Sequence, residues 1–207
     1  MIVTAIEQQK HNKEKYSVFI DGEFAFGLIM QDILYFKLKE GQEISETTYH
    51  FIMENLVYIK AQDTALHYIS YKMRTEQEVR KKLLEKEYAD EVIERVIQFL
   101  KKYNYIDDFN YAQSYVKQSA RLKPKGKIAL KMELRMKGIS DTIISQVLEE
   151  TQLNELDAAM QLIEKKGGMS ALSDEKKKRK ILSFLQRRGY SYDIIKEAIY
   201  SIEQIEK

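Results

Sequence analysis

Apolar and polar positions follow two different rhythms along the 207 residues. Near the start, "IVTAIEQQ", "KYSVFI" and "EFAFGL" are short runs in which apolar and polar residues broadly alternate, the period of a strand with one buried face. Asp21-Gly22 separates the second run from the third. A two-residue primed turn needs positive φ at both positions, and Asp-Gly tolerates it. The pattern predicts a three-stranded antiparallel sheet. It then predicts a short helix around Gln31 to Phe36, a turn at Gly41, and a long helix that starts near Glu46 with Ser45 as N-cap.

From about residue 61 the rhythm lengthens and repeats. "VRKKLLEKEYADEVIERVI" (79–97), "LKMELRMKGISDTIISQVL" (130–148) and "ILSFLQRRGYSYDIIKEAI" (181–199) align with a displacement of 51 residues. Val79, Leu130 and Ile181 coincide, as do Leu83, Leu134 and Leu185, then Tyr88, Ile139 and Tyr190, then Val92, Ile143 and Ile194. Self-similarity at a fixed period signals a repeat architecture. Apolar residues at i, i+4 and at i, i+1, i+4, i+5 (Val92, Ile93, Val96, Ile97) mark two amphipathic helices per copy. An upstream helix supplies Ala61, Ala65 and Ile69, then Ala112, Val116 and Ala120, then Leu156, Ala159 and Ile163. Thr75-x-x-Glu78 reads as a capping box, and Ser140 and Ser191 open the third helices. The predicted fold is mainly α: tandem three-helix repeats (three modules) with a small N-terminal antiparallel β-sheet. The expected divisions are 1–60, 61–107, 108–153 and 154–207.

One stretch breaks the helical period. "KIALKMELRMKG" (127–138) alternates like a strand, yet it lies in register with two plainly helical segments and is rich in Lys, Ala, Leu, Met, Glu and Arg. It is predicted to be a helix. Leu130 and Leu134 then face the core, Ile128, Met132 and Met136 form a second apolar row, and Lys127, Lys131 and Arg135 run beside that row. The matching positions are polar in the other copies: Gln77, Lys81 and Glu85, and Arg179, Ser183 and Arg187. Stacked modules bury their central unit most, so a neighbouring repeat is expected to cover the row; a partner surface is the alternative.

Composition supports this picture. Charged residues make up 32%, with one proline and 8 glycines, which suits long helices better than turn-rich β architecture. Absence of cysteine excludes disulfides, iron–sulfur clusters and thiol catalysis. "MIVTAIEQQKHNKEKY" is not a signal sequence, and no run of 18 uncharged apolar residues occurs, so a cytoplasmic, membrane-free, monomeric protein is expected.

The net charge of +2 is unevenly spread: residues 1–60 carry 6 basic and 9 acidic side chains, residues 121–150 carry 7 and 4. Arg121, Lys123, Lys125, Lys127, Lys131, Arg135 and Lys137, with only Glu133 among them, have few acids to balance them and read as an interface for nucleic acid or an acidic protein face. Lys176 and Lys177 of "KKKRK", with Arg74, Arg80, Arg187 and Arg188, complete the candidate set.

Other motifs resolve into structural readings. Asp107 and Asp108 suit a helix start better than a metal or acid–base pair. His11, His50 and His67 lack ligand spacing. Gly126-Lys127 fails as a phosphate loop, because Arg121 stands at the first glycine position and Ile128 where Ser or Thr is needed. "KGISDTIISQVLEE" fails as a sequence-reading helix pair, since no cation occurs from Ser140 to Thr151. Tyr103, Tyr105, Tyr111 and Tyr115 are expected to pack in a core or rim rather than stack on bases. No cofactor is expected.

"NYIDDFNYAQSYVKQSARLKPKGKIALKMELRMKGIS" resembles the signature of the RecX family, bacterial regulators of the RecA recombinase. The resemblance rests on Tyr105-Ile106-Asp107-Asp108, Tyr111-Ala112, Tyr115-Val116, Arg121, Gly126 and Glu133-Leu134-x-x-Lys137-Gly138-Ile139, within a similarity over about residues 61 to 203. The chain departs at Asn110, where an arginine often follows the paired aspartates. The resemblance implies a non-enzymatic protein that binds RecA–DNA filaments and limits their growth. It also implies lowered ATPase, strand-exchange and coprotease activity in DNA repair, recombination and the SOS response. A general DNA-binding protein that works through weak, non-specific contacts to single- or double-stranded DNA is the alternative.

Overall fold

The computed structural model describes residues 1–10 and 12–205; His11 lies outside them. Strands β1 (Val3–Gln8), β2 (Lys15–Ile20) and β3 (Glu23–Ile29) form an antiparallel sheet in the order β1-β2-β3. The turn between β2 and β3 is the primed type read from Asp-Gly: Asp21 has φ 51° and Gly22 φ 89°, and Ile20 pairs with Glu23. Helix α1 (Met30–Tyr35) follows.

Ser45 caps the next helix by accepting from the Thr48 amide. That helix is α2 (Glu46–Ile52), and it continues without a cap through a π-helical stretch, Met53–Tyr58, into α3 (Ile59–Ser70). Ile52, Met53 and Val57 are buried before and within the wide stretch, and Ala61 and Ala65 beyond it. Lys60 pairs with Asp32 of α1 at 2.6 Å, and Arg95 clamps both carboxylate oxygens of Glu54 at 2.7 and 2.8 Å. Helices α4 (Glu76–Leu84) and α5 (Asp90–Lys102) complete the first module, and Thr75 and Glu78 form the capping box. One core runs from Val18 and Phe26 of the sheet through Ile52 and Ala65 to Leu83 and Val96.

The chain divides into two units, Met1–Asp107 and Asp108–Lys207. The second holds two modules. Helices α6 (Asp108–Leu122), α7 (Lys127–Met136) and α8 (Asp141–Glu150) close over Ala112, Val116, Leu130, Leu134, Ile144 and Val147. Helices α9 (Glu155–Glu164), α10 (Gly168–Leu172), α11 (Glu175–Arg187) and α12 (Tyr192–Ile205) close over Ala159, Ile163, Ile181, Leu185 and Ile195. The third module thus has a short fourth helix, α10, that the sequence did not announce.

The repeat shows most plainly at the end of each middle helix. Glu87 (φ 57°), Gly138 (φ 82°) and Gly189 (φ 82°) stand 51 residues apart and all adopt the left-handed conformation. In each, the next amide reaches back five residues: Tyr88 to Leu83, Ile139 to Leu134, Tyr190 to Leu185. These are three copies of one Schellman motif, with the apolar residue after the turn packed in the same core as the leucine it bonds.

One expectation for the upstream helix is corrected. Ala120 is exposed and Ser119 takes the buried place, because Ala112, Val116 and Ser119 follow the i, i+4, i+7 line of a 3.6-residue period.

Candidate partner-binding surface of the second and third modules

Gly126 is the N-cap of α7, and the alternating segment is helical from Lys127 to Met136. Leu130 and Leu134 are buried, whereas Ile128, Met132 and Met136 are 55%, 59% and 74% exposed. Within the unit Asp108–Lys207 the third module does not cover this row, contrary to the expectation that a neighbouring repeat would bury it. The second and third modules meet instead through the start of α7 and the turn after α11. The Gly126 amide donates to the Arg188 carbonyl at 2.9 Å, the Ile128 amide to the Gly189 carbonyl at 3.2 Å, and the Lys127 amide to Glu155 at 2.8 Å. The amides that open α7 are thus occupied, which is why Gly126-Lys127 cannot cradle a phosphate.

The cations of the second module are better balanced than the sequence suggested. Arg135 makes a two-point fork with Asp141 of α8, at 2.6 and 2.9 Å, and its guanidinium holds the Asp141 carboxyl below the usual range. Lys127 stands 4.0 Å from Glu155 of α9. Lys125 reaches both oxygens of Glu133, at 2.6 and 2.7 Å, and the Tyr115 hydroxyl donates to the same carboxylate at 2.7 Å. The premise that few acids balance this cluster is corrected: the acids arrive from other helices, and Glu133 is a hub within it.

Burial alone would raise the Glu133 carboxyl, but Lys125 and Tyr115 more than offset it and hold it below its ordinary value. The Tyr115 hydroxyl is pushed up to about 12, first by burial and then by its bond to Glu133. Tyr111 and Tyr115 stack with ring planes 11° apart, and the Lys137 ammonium lies over both rings at 5.3 and 5.9 Å. Tyr103 and Tyr105, in the first unit, are exposed and lean on Phe99 at the rim of the core. Among the described residues, Arg121, Lys123 and Lys131 have no ion-pair partner, although Lys131 lies in the field of Asp141.

The remaining candidates fall into two sets. Arg74 and Arg80 belong to the first unit: Arg74 lies over the Tyr68 ring at 4.0 Å, and Arg80 bridges Glu76 and Glu94, both at 2.7 Å. Lys176, Lys177, Arg187 and Arg188 belong to α11 or its end. Arg188 turns inward, donating to the Pro124 carbonyl at 3.1 Å and covering Phe184. The other three are exposed. Asp174 caps α11 by accepting from the Lys176 and Lys177 amides, at 2.8 and 3.0 Å, which sets an anion against the cationic first turn. These bonds, that of Lys177 foremost, hold the Asp174 carboxyl below its usual value. Asp just before a cationic run was the available sign of this cap. Along α11, Glu175, Lys176, Arg179, Lys180, Ser183 and Arg187 line one open depression.

Four regions match models of the RecX family: 1–45 the N-terminal domain of regulatory protein RecX, and 61–100, 107–148 and 154–199 the first, second and third three-helix domains. Regulatory protein RecX of Clostridium acetobutylicum is 37% identical over 206 residues, 97% of this chain and 95% of that protein. This chain belongs to the RecX family. The RecX of Clostridioides difficile is 35% identical over 96% of this chain and 94% of its own length. Among solved structures, a regulatory protein RecX aligns with TM-score 0.63 at 30% identity over 95% of this chain and 98% of that one. RecX from Lactobacillus salivarius aligns with TM-score 0.64 at 31% identity over 71% and 97%. RecX relatives are named as regulatory proteins, and among the described residues no helix is long and apolar enough to cross a membrane.

Proposed function

We propose that the chain is a non-enzymatic regulator that binds RecA–DNA filaments and lowers the ATPase, strand-exchange and coprotease activities of RecA. What carries this reading is the match to regulatory RecX proteins along nearly the whole chain, sheet and all three modules included. The exposed Ile128/Met132/Met136 row supports it, since a helix face with three large apolar side chains open to solvent favours association and marks a place where a partner docks.

The test is co-sedimentation with RecA filaments formed on single-stranded DNA, with titration of DNA-dependent ATPase in parallel. Saturable co-sedimentation with falling ATPase is expected; absence of both refutes the reading. A non-specific DNA binder is the competing reading, favoured by the open cations of α11. It requires binding to protein-free DNA that falls steeply with salt and does not improve when RecA is added.

A further inference from the structure

We propose that the exposed faces of α11 and α7 form one strip that docks a single protein segment, acidic over one part and apolar over the next. The inference rests on the RecA-filament reading and names which surface meets the protein rather than the DNA.

Three observations converge on it. First, Arg179, Ser183 and Arg187 of α11 occupy the same positions, 51 residues on, as Ile128, Met132 and Met136 of α7. The repeat therefore presents one face twice, cationic in the third module and apolar in the second. Second, the ends of the two helices that carry these rows meet: Gly189, two residues after Arg187, accepts from the Ile128 amide at 3.2 Å. With 1.5 Å per helical residue, the α11 row from Lys176 to Arg187 runs about 16 Å and the α7 row about 12 Å. Third, the free charge is concentrated at one end, with Lys131, among the described residues, the cation left without an ion-pair partner beside the apolar row. Arg135 and Lys127 beside the apolar row are engaged by Asp141 and Glu155, whereas among the described residues Lys176, Lys180 and Arg187 have no ion-pair partner, and Arg179 has only Glu175 at 3.8 Å.

The chemistry selects the class of partner. Phosphates offer nothing to bury against Ile128, Met132 and Met136, and bases stack on flat aromatic or guanidinium faces rather than on branched or thioether chains. Two of the three side chains in this open row are methionines, which adapt to apolar side chains of a protein. Charge complementarity assigns the acidic part of that segment to α11, where Lys176, Arg179, Lys180 and Arg187 are unneutralised or nearly so.

The experiment places a photo-crosslinking phenylalanine derivative at Met132 or Ser183, one site per protein, and irradiates each with RecA filaments on single-stranded DNA. Both side chains are exposed, so folding is checked by an unchanged melt. Expected is crosslinking at both sites to RecA, within one stretch of its sequence, acidic where Ser183 touches and apolar where Met132 touches. In the same assay Met132→Ser and Arg187→Glu each weaken filament binding about tenfold, while Met132→Ser leaves binding to protein-free DNA unchanged. Crosslinks from Ser183 to DNA, from Met132 to a second copy of this chain, or from the two sites to remote parts of RecA would overturn the strip. So would full filament binding by both variants. If the parent protein fails to co-sediment with filaments, the RecA reading itself falls, and the strip with it.

Discussion

Gly126 and Gly189 touch backbone to backbone. A Cβ placed on Gly126 would lie 2.1 Å from the Gly189 carbonyl oxygen, and one placed on Gly189 would lie 2.2 Å from the Ala129 nitrogen. The joint between the second and third modules is thus a main-chain contact that only two glycines permit, with the Gly189 turn additionally in the left-handed region at φ 82°. Glycine here decides how two modules stack, and through that how the rows on α11 and α7 abut.

Gly126→Ala tests the joint at a position where φ is ordinary, so strain in the turn is not confounded with the clash. The expected loss is about 2–3 kcal/mol of stability, read as a lower urea midpoint. Arg187→Ala, two residues from the same joint but exposed, should change stability by less than about 0.5 kcal/mol. Equal midpoints for Gly126→Ala and the parent would show that the modules can separate at no cost.

The Schellman turns give a prediction of opposite sign. The first module uses Glu87 where the other two use glycine, and a residue with a Cβ pays to hold φ near 57°. Glu87→Gly should stabilise by about 0.5–1 kcal/mol, the saved strain exceeding the added freedom of the unfolded chain. A fall in melting temperature would mean that the Glu87 side chain contributes more than the turn strains.

Much of this architecture was readable beforehand, and the parts that were not share a cause. The Asp21-Gly22 hairpin, the Ser45, Thr75 and Ser140 caps and the helical nature of 127–136 are local, set by residues within a few positions of one another, and the 51-residue displacement shows by comparing the chain with itself. The acids that engage Lys127 and Arg135 lie on other helices: Glu155 reaches Lys127 from the next module, 28 residues on, and Asp141 reaches Arg135 only because the chain turns back between α7 and α8. The exposure of Met132 likewise depends on where a neighbouring module sits, which the Gly126–Gly189 contact decides and hydrophobic period cannot. The π-helical stretch left no sequence sign, because Met53–Tyr58 has the composition of ordinary helix.

Glu133 supplies a pH dependence. Its carboxyl is held below the ordinary value near 4.5 in the folded protein. The stability it contributes is therefore complete above about pH 4.5 and is lost as the pH falls through its lower folded value, because the unfolded chain takes up the proton first. Urea midpoints from neutral pH to about pH 3 should decline less steeply in Glu133→Gln than in the parent. At the alkaline end the sign reverses. Tyr115, raised to about 12, favours the folded state until the unfolded tyrosine ionises near 10.0, and that contribution disappears as pH climbs through 12. An absorbance titration should show one late-ionising tyrosine fewer in Tyr115→Phe; an identical curve would remove the bond to Glu133 from the account.

Reversal of Lys127, Lys131 and Arg135 to Glu together tests the charged flank of α7. All three lie off the Leu130/Leu134 face, so the fold survives. The change breaks the Arg135–Asp141 fork and sets Lys127→Glu against Glu155, so a small loss of stability is expected rather than none. Inhibition of RecA ATPase should fall sharply at concentrations where circular dichroism shows the parent helix content. Undiminished inhibition would make this flank a solvated, internally paired surface.

Leu134 and Met132 stand two residues apart on one helix and should behave as opposites. Leu134 is fully buried between Leu130 and the helices around it, so Leu134→Asp places a carboxylate where it meets only apolar atoms, at a cost of about 3–5 kcal/mol. That exceeds what a module of some forty residues can spare, and the second module should unfold while the core shared by the sheet and the first module persists. Met132 is 59% exposed and loses nothing by becoming polar, so Met132→Ser should melt within about 0.5 kcal/mol of the parent. Its effect should fall on filament binding and ATPase inhibition instead. A Met132→Ser protein that melts early and inhibits normally would place that side chain in a core after all, and the apolar row of α7 would cease to be a docking surface.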